Sequence, residues 1–278
     1  MEYGPIPVIP RVGEAGRTPG RPAPPPDLLL LLFVDLDPDL AALRPLGGFF
    51  VLRTTGAAGA DPVRRLPTLA DAYADTRSDV YGAPLTFRVE VVARRLRAPE
   101  PRVSASIAQL GLAARLWSAA LGCAALYGRV PDLDPGLLRW DPDTRAPDDL
   151  WLTEVRALPG TAAVLTDAVL HAHLRPLGDA LRARYGIAAG LLWGNAGSAL
   201  AGAARELDRW ARGNGRGEVA DRARALTAEL FAHPLLSRTG TFAGTAFRRR
   251  SCCLYYRAPG GGLCGDCCFT RPPRAPSE

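Results

Sequence analysis

PRVSASIAQLGLAARLWSAALGCAALYG, residues 101–128, sets the fold class. Ile107, Leu110, Ala114, Trp117 and Leu121 recur at three- and four-residue spacing, which predicts a long apolar helix. Ser104 is placed to cap it, and Gly128 and Pro131 end it. Upstream, Leu85, Val89, Val92 and Leu96 repeat the helical spacing until Pro99 and Pro101. Downstream, residues 131–160 are rich in Asp, Pro and Trp and read as loops with short strands. Helices follow over 162–174, where Pro176 is expected to break or kink the chain, and over 177–185, closed by Gly186. Two more are expected over 197–212 and 218–232, separated by the glycine-rich stretch 212–217. Trp193 and Asn195 read as turn and core residues.

Strands are expected near the N-terminus, in the apolar runs 28–34 and 49–52. Residues 55–62 are loop-like. The expected class is α+β, a predominantly helical body with a few short strands. Three regions follow: a disordered Pro/Gly/Arg-rich arm over 1–26, a mainly helical body over 27–245, and a cysteine-bearing segment over 246–278.

Composition narrows the function. Hydrophobic residues make up 47% of the 278, enough for a sizeable core. The net charge is +6, yet every basic residue is arginine, so much of the charge reads as a bias toward GC-rich codons and a solvated surface. Aromatic residues are 7% and do not interleave with a basic stripe, which argues against a nucleic-acid partner. Met1, Glu2 and Tyr3 run into prolines without the charged and apolar regions of a signal peptide. The run 28–34 is too short to span a bilayer. The expected location is cytoplasmic, with membrane contact at most peripheral, at the inner face. The glycine-rich 213–217 stretch follows a helix and lacks Gly-Lys-Ser/Thr, so it reads as a turn. There is no dinucleotide fingerprint after a strand and no Gly-x-Ser-x-Gly elbow, so neither a bound nicotinamide nor a serine nucleophile is expected, and no catalytic side chain is assigned. His171, His173 and His233 are not spaced as a metal site.

Five of six cysteines fall in RRRSCCLYYRAPGGGLCGDCCF, residues 248–269; Cys123 reads as a small core residue. Cys264 and Cys267 form a C-x-x-C turn, and Pro259 with three glycines can fold Cys252 and Cys253 back onto it. In a reducing compartment clustered thiols favour metal or redox chemistry over disulfides. Soft sulfur donors suit zinc or an iron–sulfur cluster. The adjacent pair Cys252-Cys253 is not a zinc-ribbon spacing, and the spacing is not that of the common ferredoxins either. On spacing alone the two metals stand level.

Cys-Cys, ten residues, Cys, two residues, Cys resembles the signature of the FhuF-like ferric siderophore reductases, with Arg249-Arg250-Ser251, Leu254-Tyr255-Tyr256-Arg257 and Gly265-Asp266 around the cysteines. Leu191-Leu192-Trp193-Gly194-Asn195, Ser198-Ala199-Leu200, Pro101-Arg102-Val103, Leu116-Trp117-Ser118 and His173-Leu174-Arg175-Pro176-Leu177 also resemble that family. The likeness spans roughly residues 65–270. The body is also similar to the C-terminal part of siderophore synthetases of the IucA/IucC type.

The resemblance implies a [2Fe–2S] cluster held by Cys252, Cys253, Cys264 and Cys267, with Cys268 a departure from the family pattern. It implies one-electron reduction of ferric siderophore iron, with the electron drawn from an external ferredoxin or flavoprotein. Arg249, Arg250 and Arg257, with Arg248, are expected to tune the cluster or dock the anionic siderophore, unless they are solvated or hold the fold by ion pairs. Tyr255 and Tyr256 are read as shielding or packing. A structural cluster in a siderophore-handling or iron-sensing protein, or a zinc-stabilised interaction module, are the alternatives.

Overall fold

A computed structural model describes residues 40–55, 62–74 and 82–273. The arm over 1–26 and the apolar run 28–34 lie outside the described residues, as does most of the 55–62 loop. Among the described residues the helices are α1 (Leu69–Ala74), α2 (Pro84–Leu96), α3 (Pro101–Tyr127), α4 (Ala162–Leu165), α5 (Arg175–Tyr185), α6 (Ala189–Gly213), α7 (Gly217–Ala232) and α8 (Pro234–Ser237). A π-helical stretch, Thr166–Leu174, joins α4 to α5. The strands are β1 (Arg53–Thr54), β2 (Arg129–Pro131), β3 (Leu138–Trp140), β4 (Leu150–Leu152), β5 (Ala157–Pro159), β6 (Gly240–Ala243) and β7 (Ala246–Arg249). Helices dominate and strands are short, the α+β body expected.

α3 is the axis. It packs most extensively on α6, then on α2, β2 and α7. It is apolar enough to be buried on nearly every side, as such helices are. Ile107, Leu110 and Ala114, expected to mark its core stripe, lie on its less buried side, while Val103, Ala105, Leu112, Leu116, Ala120 and Cys123 are fully enclosed or nearly so. Ser104 does not cap this helix. The helix starts at Pro101, whose fixed φ and missing N–H suit the first turn, and Ser104 is buried inside it. Gly128 ends it in the left-handed conformation, as expected. By length and hydropathy α3 could cross a membrane, but its most apolar window is largely buried against its neighbours.

Two further expectations change. The run 49–52 is a turn leading into β1, and it contributes Phe50 and Leu52 to the core. Pro176 does not break its helix. The π turns before it carry the Arg175 N–H to the Leu170 carbonyl, so the chain runs on into α5 with the proline in its first turn. β1 pairs parallel with β4 and β4 antiparallel with β3 in one small sheet, and β2 pairs antiparallel with β5 in a second, a β flank beside the helices. Arg115 of α3 ties that flank to the axis. Its guanidinium donates to Asp149 at 2.8 Å, a buried pair, and to the Phe49 carbonyl at 2.5 Å.

His173 is enclosed between two neighbours. Its Nε2 donates to the Leu133 carbonyl at 2.6 Å, which leaves Nδ1 to accept from the Tyr73 hydroxyl at 2.8 Å. Burial pushes its pKa down to about 4. The unfolded chain therefore binds a proton near pH 6.5 that the native chain refuses until about pH 4. Stability contributed by neutral His173 is complete above pH 6.5 and is lost as pH falls through that window, on the order of 3 kcal/mol in all. Urea midpoints at pH 7 and pH 5 check this. The drop should be clearly smaller in His173→Gln than in the unaltered protein.

Candidate metal centre

The cysteine segment is positioned by a hairpin that sequence reading missed. β6 and β7 pair antiparallel with Gly240 opposite Arg249 and Ala243 opposite Ala246, around a Gly244-Thr245 turn. Alternation along β7 sends Phe247 and Arg249 inward and leaves Arg248 and Arg250 outside. Three consecutive arginines, equivalent in sequence, thus separate into one buried cation between two solvated ones. The 245/246 boundary read from the sequence falls in the turn of this hairpin.

α6 is the bed on which the hairpin and the cysteine loop lie. It begins eight residues before the expected start at 197, and Trp193 and Asn195 are inside it rather than in a turn. Gly194 and Gly197 are small because the chain crosses there. A Cβ at Gly194 would sit 2.0 Å from Ser251 Oγ, and one at Gly197 would sit 2.3 Å from Thr239 Oγ1. Between them, Asn195 joins three elements. Its Nδ2 donates to the Ser106 carbonyl at 2.9 Å, and its Oδ1 accepts from Arg249 Nη2 at 2.5 Å. Ser106 of α3 donates in turn to the Cys253 carbonyl at 2.8 Å. One turn along α6, Ser198 donates to Asp266 at 2.6 Å, and Arg205 pairs with the same carboxylate at 3.0 Å. The Arg249 N–H donates to the Asp266 carbonyl at 3.0 Å. The two cysteine arms are thereby fixed to both central helices.

Each of four thiols is met by the backbone N–H two residues further on. Leu254 N–H lies 3.2 Å from Cys252 Sγ and Phe269 N–H lies 3.4 Å from Cys267 Sγ. Tyr255 and Asp266 supply the same contact to Cys253 and Cys264. Amides aimed at sulfur stabilise thiolate character and metal-bound sulfur. Cys268 differs, since its sulfur is met by its own amide and by the Cys252 thiol. Cys253 and Cys264 are hydrogen-bonding neighbours. The Cys264 thiol donates to Cys253, which brings Cys253 down to about 7 and raises Cys264. Burial raises Cys252 and Cys268.

Beneath these sulfurs sits Arg249, 2% exposed. Its Nη2 is bonded, but its Nε and Nη1 are buried with no hydrogen-bond partner, and no carboxylate among the described residues pairs with it. The other two arginines singled out in the sequence stand differently. Arg250 is exposed, and Arg257 pairs with Glu100 at the start of α3 at 3.0 Å, tying the loop to that helix. Tyr256 meets Phe269 edge-on at 5.8 Å and bridges the two arms.

The residues fit a two-iron cluster. Among the described residues no three His, Cys, Asp or Glu side chains close on one metal-ion position. Cys253 lies against Cys264, and Cys252 lies near Cys253, Cys267 and Cys268. Soft thiolates gathered in this way suit an iron–sulfur cluster. The cluster's negative charge also answers the unpaired N–H groups of Arg249. Ser106, Asn195, Ser198 and Arg205 were not read as site residues. Asn195 and Ser198 lay in segments that resemble the FhuF-like family, and the other signal was polar and glycine residues inside otherwise apolar helices.

The close crossing at α6 gives a test. Gly194→Val forces Ser251 and Arg249 off the helix, an overpacking worth about 1–3 kcal/mol. Iron per chain should fall while far-ultraviolet circular dichroism keeps its helical signal. Unchanged iron content and melting temperature would contradict this placement.

Residues 249–269 match the family described as FhuF 2Fe-2S C-terminal domain. No curated protein matches the chain. The matched stretch runs from the buried arginine to the last ring of the cysteine segment and contains all five clustered thiols. The C-terminal segment thus carries a FhuF-type domain, and its cofactor is a [2Fe–2S] cluster.

Proposed function

We propose that this chain is a ferric siderophore reductase, in which Cys252, Cys253, Cys264 and Cys267 hold the cluster and an external ferredoxin or flavoprotein supplies the electron. When bound, a [2Fe–2S] cluster takes up and gives out one electron. Ferric iron in the siderophore is the substrate, and the product is ferrous iron, which hard anionic oxygens hold more weakly. The iron is then open to other ligands in the cytosol.

One observation carries the reading: the FhuF-type thiols lie at the surface over a buried cation. Cys252, Cys264 and Cys267 are half-buried, and Leu263, Gly265 and Phe269 beside them are exposed. Electrons can leave there without passing through the body. Arg249, below, has the charge that favours the more negative, reduced state. Asn195 and the Leu191 carbonyl hold its Nη2 in place. Cys267 is preferred to Cys268 as the fourth ligand because it has the N–H from two residues on.

Two experiments test this. Protein reduced with dithionite and freed of excess reductant is mixed anaerobically with a ferric siderophore and a ferrous-iron chromophore. The oxidised cluster spectrum should return with one ferrous iron per electron. A cluster that stays reduced, with no ferrous iron formed, would sink the reductase. Arg249→Met should lower the midpoint potential by on the order of 60 mV or more, tenfold for one electron. Arg250→Gln, on the solvent side, should shift it far less, and equal shifts in both would remove the special role of Arg249.

A further inference from the structure

The net charge of the chain is gathered in one place. Residues 238–273 hold six arginines against one carboxylate and so carry +5 of the chain's +6. Residues 1–237 are balanced to within one charge, so a general preference for arginine does not account for the imbalance. The one carboxylate, Asp266, is buried and bound to Ser198 and Arg205. Among the arginines, Arg249 is enclosed and Arg257 pairs with Glu100. Arg238, Arg248, Arg250 and Arg271 remain, all exposed, and none pairs with a carboxylate among the described residues. An oxidised cluster subtracts about two charges from this segment and leaves it cationic. The free cations frame the thiols. Arg248 and Arg250 lie on the outer side of β7, and Arg248 donates to the Cys268 carbonyl at 3.0 Å. Leu263 precedes Cys264 and Phe269 follows Cys268, each 37% exposed, with Arg271 two residues further on.

We infer that this face docks the electron donor, and that the donor is a protein with an acidic surface around its own one-electron centre. The inference rests on the reductase reading and adds the docking face and the donor's charge. Exposed apolar and aromatic side chains inside a charged rim, with arginine favoured, are the make-up of a protein interface. A small chelate is instead held in a concave site, and a lipid surface fits the charge but gives the cluster no electron. Unpaired arginines attract an acidic protein and orient it, which speeds the encounter without a large contact. That suits a carrier that must leave after each electron. One electron passes from the donor's centre to the oxidised cluster, and no bond forms or breaks.

An acidic flavodoxin in its hydroquinone form is the probe. Its anionic flavin gives one electron to the oxidised cluster and becomes the neutral semiquinone, whose colour reports the transfer in stopped flow. With cluster-loaded protein the second-order rate constant should fall roughly tenfold or more between about 20 and 500 mM salt, as screening removes the attraction. Arg250→Glu and Arg271→Glu should each lower it at low salt, and together by roughly tenfold or more. Both positions are exposed, so the variants should keep the visible cluster spectrum and their rate of reduction by the small, neutral 5-deazariboflavin radical. Arg129→Glu makes the same change of charge beyond the far end of α3, about 30 Å from Ser106 by the helix rise, and should lower the rate by at most about twofold. A rate constant indifferent to salt, or an equal loss in Arg129→Glu and Arg250→Glu, would overturn the inference. So would a full donor rate in the double variant alongside lost binding to phosphatidylglycerol vesicles, which assigns the face to lipid, or alongside slowed reoxidation by a ferric siderophore, which assigns it to the chelate. Reoxidation of dithionite-reduced protein separates the two levels. Normal reoxidation with a donor rate untouched by salt or charge keeps the reductase and discards the docking face, whereas no reoxidation by any ferric chelate discards the reductase itself.

Discussion

A buried guanidinium with no carboxylate beside it is costly, by several kcal/mol for the desolvated ion alone. Arg249 is such a group, with two of its three nitrogens unbonded. The surrounding structure makes sense around that cost. Strand alternation in β7 turns Arg249 inward, Asn195 on α6 bonds its third nitrogen, and the four N–H-capped thiols lie over it. A negatively charged cluster repays what the protein alone leaves uncompensated. The fold thus stores a positive site that is complete only when the cofactor is present.

The same network explains why two long helices carry a short C-terminal module. α3 contributes Ser106, and α6 contributes Gly194, Asn195, Gly197 and Ser198. Small residues permit the crossing and polar ones bond the chain that crosses. Arg257 and Glu100 add a tie at the edge, where exposure keeps its worth to about 1 kcal/mol or less. The buried bonds hold the register of the cysteines, and the surface pair trims the loop.

Much of this was legible in the sequence, for reasons that can be named. The helices α2, α5 and α7 follow their apolar spacing, and Gly128 and Gly186 end theirs in the left-handed conformation that glycine tolerates. The cysteines announce themselves by type and spacing. Other features were hidden because tertiary contacts decide them. α3 is buried on nearly all sides, so its periodicity points to no single face. Gly194 and Asn195 have low helix propensity, so the helix expected from Gly197 was started too late, and only the chain packed over them makes them part of a helix face. The β6–β7 hairpin has few strand-forming residues, and without it Arg248, Arg249 and Arg250 cannot be told apart. Asn195 meets Ser106 and Arg249 across 89 and 54 residues of sequence, a distance no local pattern spans.

In the proposed centre, sulfur from Cys252, Cys253, Cys264 and Cys267 surrounds two irons above Arg249. Iron, zinc and acid-labile sulfide per chain, measured on anaerobically purified protein and on its Cys267→Ser and Cys268→Ser variants, test it most directly. About two irons and two sulfides per chain are expected, as a [2Fe–2S] unit requires, kept in Cys268→Ser and lost or sharply reduced in Cys267→Ser. One zinc per chain with no sulfide would contradict it, as would a full cluster in Cys267→Ser.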